Sequence, residues 1–123
     1  MSVTGPDFIA LHVRDLDRSA QFFESRLGLH RLSQSPPGAV VFDTAPIPFA
    51  VREHAPGIDL DAATPRPGLG VALWLHATDA QALHDELVVA EVPIIQAPFD
   101  SPFGRTFTFT DPDGYAVTVH DRA

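Results

Sequence analysis

"VRDLDRSAQFFESRLGL", Val13–Leu29, holds the end of one element, a capping site and an amphipathic helix in a single stretch. Asp17 is read as the helix cap, and Leu16, Ala20, Phe23 and Leu27 recur on one helical face. Gly28 supplies the left-handed residue that ends it. Upstream, Asp7–Val13 alternates and is rich in apolar side chains, as a strand does. Downstream, Leu29–Ser33, Ala39–Phe42 and Ile47–Glu53 read as three strands, with turns at Pro36-Pro37-Gly38 and Thr44-Ala45-Pro46. The order is strand, helix, then three strands: a βαβββ unit.

The same order recurs. His54–Gly68 carries three Pro and two Gly with little periodicity and reads as a linker. Leu69–His76 is then a strand, and Thr78 with Gln81 forms a capping box for a helix bearing Leu83, Leu87 and Ala90 on one face. Val92–Gln96, Arg105–Thr110 and Tyr115–His120 complete the second unit. "DPDG", Asp111–Gly114, joins the last two strands, and its carboxylates are read as turn residues rather than metal ligands. The expectation is an α+β fold in one domain, residues 1–123, with module one over about 5–53, a linker at 54–68 and module two over about 69–121. Neither unit closes a core alone, so the two are expected to pack together.

Composition narrows the functional classes. At 123 residues, 45% hydrophobic and with nine Phe, the chain suits one globular domain. It has no Cys, which excludes disulfides and thiolate chemistry. All eight basic residues are Arg, so Schiff-base and P-loop roles are excluded as well. A net charge of −8 argues against nucleic acid and anionic membranes. No apolar run is long enough to span a bilayer, and no signal-like segment opens the chain, so a cytoplasmic location is expected.

"VRDLDRSAQFFESRLGL" together with "GRTFTFTDPDGYAVTV", Gly104–Val119, resembles the two ends of a vicinal oxygen chelate domain. That superfamily includes glyoxalase I, extradiol dioxygenases, fosfomycin-resistance enzymes and bleomycin-resistance binding proteins. The resemblance runs from about Asp7 to His120 and implies two βαβββ modules whose curled mixed sheets enclose a shared cleft. Metal-dependent members place one ligand in each of four cleft strands. Counted from the landmarks, those positions fall here at Phe8, Gly70 and Thr118, and near Ala50. None of these side chains suits a divalent cation, so no metal and no cofactor is expected.

Strand alternation places Phe8, Ala10 and His12 on the cleft side, with Ala50 and Arg52, with Trp74 and His76, and with Thr118 and His120. A displaced site of His12, His76 and His120 is opposed by the nearby Arg52 and by the positions of His76 and His120 at strand ends. The candidate ligand-binding set is Phe8, His12, Phe49, Arg52, Trp74, Phe103, Tyr115, Thr118 and His120. Phe49, Phe99, Phe103 and Tyr115 are placed at the mouth, and Trp74 either meets a ligand or plugs the cleft. No catalytic residue stands out, because no Ser carries a nucleophile-elbow pattern.

The first reading is a metal-independent, bleomycin-resistance-type protein that sequesters a hydrophobic or aromatic natural product such as an antibiotic. In that branch the resemblance implies a homodimer. The alternative is a lyase, isomerase or dioxygenase-like enzyme using a histidine base or a non-standard metal site. A third reading is a fold relative with a filled cleft and a partner-binding role.

Overall fold

Asp15, rather than Asp17, caps the first helix. Its backbone is extended and its carboxylate accepts the Arg18 N–H at 3.1 Å. Asp17 falls inside the first turn, where its charge still complements the helix dipole. Helix α1 therefore spans Leu16–Leu27, and Gly28, at φ 74°, closes it by donating to Glu24 O. The computed structural model describes residues 2–122 and divides into two compact units, the first ending at Ile58 and the second starting at Asp59.

In the first unit, strand β1 (Ile9–Val13) pairs in parallel with β3 (Phe49–Glu53), and β2 (Ala39–Phe42) pairs antiparallel with β3. The expected strand at Leu29–Ser33 shrinks to one bridge, Arg31 opposite Phe42. Leu32 N–H still donates to Val41 O, and Asp43 N–H to His30 O. The next rung would take the Val41 N–H to Leu32 O. Ser35 Oγ accepts that N–H instead, at 2.9 Å, and the ladder stops. Phe23 of α1 lies 5.1 Å from Phe49 and 6.2 Å from Phe42, ring to ring, and all three are buried. This contact defines the helix-covered face of the sheet and the core of the unit.

The second unit begins with a single 3-10 turn at Leu60–Ala62, inside the expected linker. Strand β4 is Leu73–His76, four residues shorter than expected at its start. Gly68 and Gly70 both have positive φ there, at 75° and 100°, and this bends the chain out of strand geometry. Helix α2 is Ala80–Val89, capped by Asp79 and not by Thr78, since the Asp79 carboxylate accepts the Ala82 N–H at 3.0 Å. Gln81 does not close a capping box; its side chain bonds Arg105 and Asp85. Strands β5 (Ile94–Ser101), β6 (Gly104–Thr110) and β7 (Ala116–His120) complete a sheet of order β4-β7-β6-β5. Strand β4 runs parallel to β7, and the other pairs are antiparallel. Phe107, Phe109, Val117, Val119 and Leu87 of α2 are fully or nearly fully buried. The His84 ring of α2 meets Phe107 edge-on at 5.3 Å, which marks the helix-covered face.

The fold is α+β: each unit sets one helix of eight residues or more against one face of a small mixed sheet and leaves the opposite face without a helix. The Asp111–Gly114 turn is closed by Gly114 N–H on Asp111 O, and Asp111 Oδ1 accepts the N–H groups of Asp113 and Tyr115. Among the described residues, no helix is long and apolar enough to cross a membrane.

Candidate functional site

Because Phe107 and Phe109 turn toward α2, their neighbours Thr106, Thr108 and Thr110 occupy the opposite face of β6. Cross-strand register carries that face outward. One row runs Phe99, Thr106, His120, His76, and the next runs Gln96, Thr108, Thr118, Trp74. The helix-free face of the second sheet thus collects Trp74, Thr118 and His120 from the sequence-predicted set. The Ser101–Gly104 turn adds Phe103, and β4 adds His76.

The rings form a connected cluster. Trp74 and Phe103 meet edge-to-face at 5.5 Å and 72°, and His120 lies 5.8 Å from Trp74 and 6.4 Å from Phe103. His76 and His120 are direct cross-strand partners, with ring centroids 5.6 Å apart. Trp74 is 44% exposed and Phe103 55%. Of the two roles left open for Trp74, this exposure fits a ring that offers surface better than one that plugs a core.

The turn that carries Phe103 is held from several sides. Ser101 Oγ accepts the Phe103 N–H, Arg122 N–H donates to Phe103 O, and Arg122 Nη1 donates to Pro102 O at 3.0 Å. Gly104 closes the turn at φ 91°, where a Cβ would collide with Asp121 Oδ1 and stand 2.9 Å from Arg122 N. Below the rings, Thr108 and Thr118 hydroxyls share a hydrogen bond at 2.9 Å, and either can donate. Thr108 is absent from the sequence-predicted residues, whereas Phe99 is among those placed at the mouth. The alternation that assigned Phe107 and Phe109 to the core was the signal that would have placed Thr108.

Fixed charge lies on the other side of the sheet. Arg105 bonds Gln81 of α2 and pairs with Asp100 at 3.1 Å, while Asp121 accepts the Ala80 N–H at the start of α2. Among the described residues, no Asp, Glu or Arg takes a strand position on the helix-free face of this sheet.

The remaining candidates are described within their own units. In the first unit, His12 and Arg52 are cross-strand partners on the helix-free face, beside the pair Ala10 and Ala50. His12 Nδ1 accepts the backbone N–H of Ala55 at 3.1 Å. An amide N–H can only donate, so the neutral His12 ring carries its proton on Nε2. Phe8 precedes β1 and is half-exposed. Phe49, placed at a mouth from sequence, is instead 4% exposed and stacked on Phe42 at 6.1 Å. It belongs to the core of the first unit, because alternation from Ala50 turns it toward α1. Tyr115 packs its ring on Gly68, where an added Cβ would stand 2.9 Å from Cδ1.

Among the described residues, no three of His, Asp or Glu are grouped to hold an ion. A ligating imidazole commonly donates its second N–H to an acceptor, whereas the buried His120 Nδ1 has no partner among the described residues. Of the positions that the resemblance marks for metal ligands, Thr118 shares its hydroxyl with Thr108, and Gly70 lies outside β4.

A model of the Glyoxalase/Bleomycin resistance protein/Dioxygenase superfamily matches residues 5–119. Among solved structures, a protein of unknown function from Agrobacterium tumefaciens is 26% identical; the match covers 100% of this chain and 95% of that one, at a TM-score of 0.73. An antibiotic binding protein from Streptomyces sp. CB03234 is 20% identical, with 100% and 99% covered and a TM-score of 0.75. A lactoylglutathione lyase, also from Agrobacterium tumefaciens, is 20% identical, with 98% and 96% covered and a TM-score of 0.67. No curated protein matches the chain.

Proposed function

We propose, from the premise that the chain belongs to the Glyoxalase/Bleomycin resistance protein/Dioxygenase superfamily, that it is a metal-independent protein that binds and sequesters a hydrophobic or aromatic small molecule. The observation that carries this reading is the exposed Trp74–Phe103 pair, joined by His120, on the helix-free face of the second sheet. Half-exposed aromatic rings offer a flat ligand a stacking surface that contributes on the order of 1 kcal/mol beyond area burial. Thr118 and the imidazoles supply the few polar groups that orient a ligand in an otherwise apolar site. The natural ligand in this reading is an antibiotic or a similar natural product, and the protein acts in the cytoplasm as a homodimer.

The Streptomyces antibiotic binding protein is consistent with this reading, although at 20% identity it shares the fold alone. The same limit applies to the lyase. An enzymatic reading also loses His12 as its base, since the accepting Nδ1 leaves Nε2 protonated.

The test is a thermal-shift and Trp74-fluorescence screen against polycyclic and glycopeptide antibiotics, beside metal analysis of the purified protein and sedimentation. Stabilisation of metal-free protein with quenching of Trp74 supports sequestration. Absence of any shift sinks it, and a stoichiometric divalent metal returns the chain to the enzymes of its superfamily.

A further inference from the structure

The polar groups beside the Trp74–Phe103 pair share one property: each can switch between donating and accepting. The Thr108 and Thr118 hydroxyls are bonded to each other, and either can be the donor. His76 and His120 abut at 5.6 Å, and a neutral imidazole offers one donor and one acceptor whose places exchange with the tautomer. Among the described residues, no strand position on this face holds a fixed charge, and Arg105, Asp100 and Asp121 are committed to contacts on the helix side or at its margin.

Such a surface treats ligands unequally. A flat ring with hydroxyl or carbonyl oxygens at its edge can stack on Trp74 and still find a partner for each oxygen. Apart from the Arg122 guanidinium, which is bonded to Pro102 O at the turn beside Phe103, an ionic ligand stacked on Trp74 would give up its hydration shell without meeting an opposite fixed charge on the strands, which is costly. A hydrocarbon would leave the hydroxyls without a new partner and gain only from burial.

Resting on the reading that this face binds an aromatic molecule, we propose that it selects uncharged aromatic ligands bearing hydroxyl or carbonyl groups over ionic ones of the same shape. Thr118 is the hydroxyl that makes the distinction. It is the direct cross-strand partner of Trp74 on β4, and its hydroxyl bonds that of Thr108 on β6, the strand on its other side.

Four naphthalene probes test this at pH 8 on the full chain, read by quenching of Trp74, the only Trp in the sequence. They are 2-naphthol, 2-methylnaphthalene, 2-naphthoate and 2-naphthylmethylammonium. The expected order puts 2-naphthol first, about tenfold tighter than either ion, a margin set by uncompensated desolvation of the charge. Thr118→Val, equal in shape, should weaken 2-naphthol by about fivefold and leave 2-methylnaphthalene unchanged, as for loss of one neutral hydrogen bond. Tighter binding of the ammonium would make the face a cation–π platform, and tighter binding of naphthoate would make it an anion site. Either result overturns the proposal. Equal affinity of all four leaves aromatic binding standing but removes the selection. If no probe changes Trp74 emission, the underlying reading falls together with the proposal.

Discussion

The Phe103 ring stands edge-on to the Trp74 indole, with centroids 5.5 Å apart and planes 72° apart, and both residues are about half exposed. Two aromatic rings left in water on one sheet face contribute little to folding. Trp74→Ala should therefore change the melting temperature by only a few degrees while weakening an aromatic ligand by about 10-fold or more, the sum of lost area and lost stacking. Phe103→Ala should act in the same direction but less strongly, since it removes the edge partner and keeps the indole face. Calorimetric titration checks both, because the fluorophore is absent from the first variant. A large loss of stability with unchanged affinity would assign both rings to packing.

The turn beneath Phe103 allows a second prediction. Gly104 sits at φ 91°, and an added methyl would meet the Asp121 carboxylate and the Arg122 backbone nitrogen. Backbone cannot swing aside as a flexible side chain does. Gly104→Ala should cost roughly 2–4 kcal/mol, more than the φ penalty alone, and urea denaturation measures it. Ligand affinity should fall as well, because Arg122 holds Pro102 O and Phe103 O in place.

Much of this arrangement was legible in the sequence where one period dominates. The α1 stripe, Gly28 and the alternation of β6 and β7 each follow from a single rule, and Trp74, Thr118 and His120 fall on one face by parity. Readings failed where two local groups compete for the same backbone. Asp15 and Asp17 are both good caps, and the choice between them depends on which carboxylate reaches the N–H three residues on. Ser35 diverts a ladder hydrogen bond that no periodicity describes. Phe49 reads as a rim residue because it stands near the end of its strand. Only its register with Ala50 shows that it turns toward Phe23.

That competition at the helix start has a measurable consequence. Asp15→Ala removes the acceptor for Arg18 N–H and should destabilise the protein by about 1 kcal/mol. Asp17→Ala removes only a first-turn charge, worth roughly 0.3–1 kcal/mol at low salt and less at high salt. Thermal or chemical denaturation at two ionic strengths separates them. Equal, salt-sensitive losses would mean that Asp15 acts by charge rather than as a cap.

The Phe49 assignment is tested by contrast with Trp74. Phe49→Ala opens a cavity beside Phe23 and Phe42 and should cost about 3–5 kcal/mol. Phe49→Leu keeps most of the volume, should cost less, and should leave ligand affinity unchanged. Loss of affinity in the leucine variant without loss of stability would return Phe49 to the rim.

Asp111 gives the pH dependence. Burial pushes its carboxyl up to about 7, with the Asp113 charge adding to the rise, against the lowering effect of the backbone N–H groups of Tyr115, Asp113 and Gly114. One oxygen accepts two N–H groups, while Oδ2 is buried without a partner among the described residues. Between pH of about 4 and 7 the native state holds a proton that the unfolded chain has released, so stability falls as pH rises through that window. Below it both states are protonated, and above it the full cost of a buried carboxylate remains, on the order of 4 kcal/mol. Asp111→Asn keeps the oxygen that accepts from Asp113 and Tyr115 but cannot ionise. The variant should match the parent near pH 4, exceed it in stability near pH 8, and show a shallower decline between them. Urea midpoints across that range decide the matter: parallel curves for the two proteins would mean that the Asp111 carboxyl ionises without penalty in the fold.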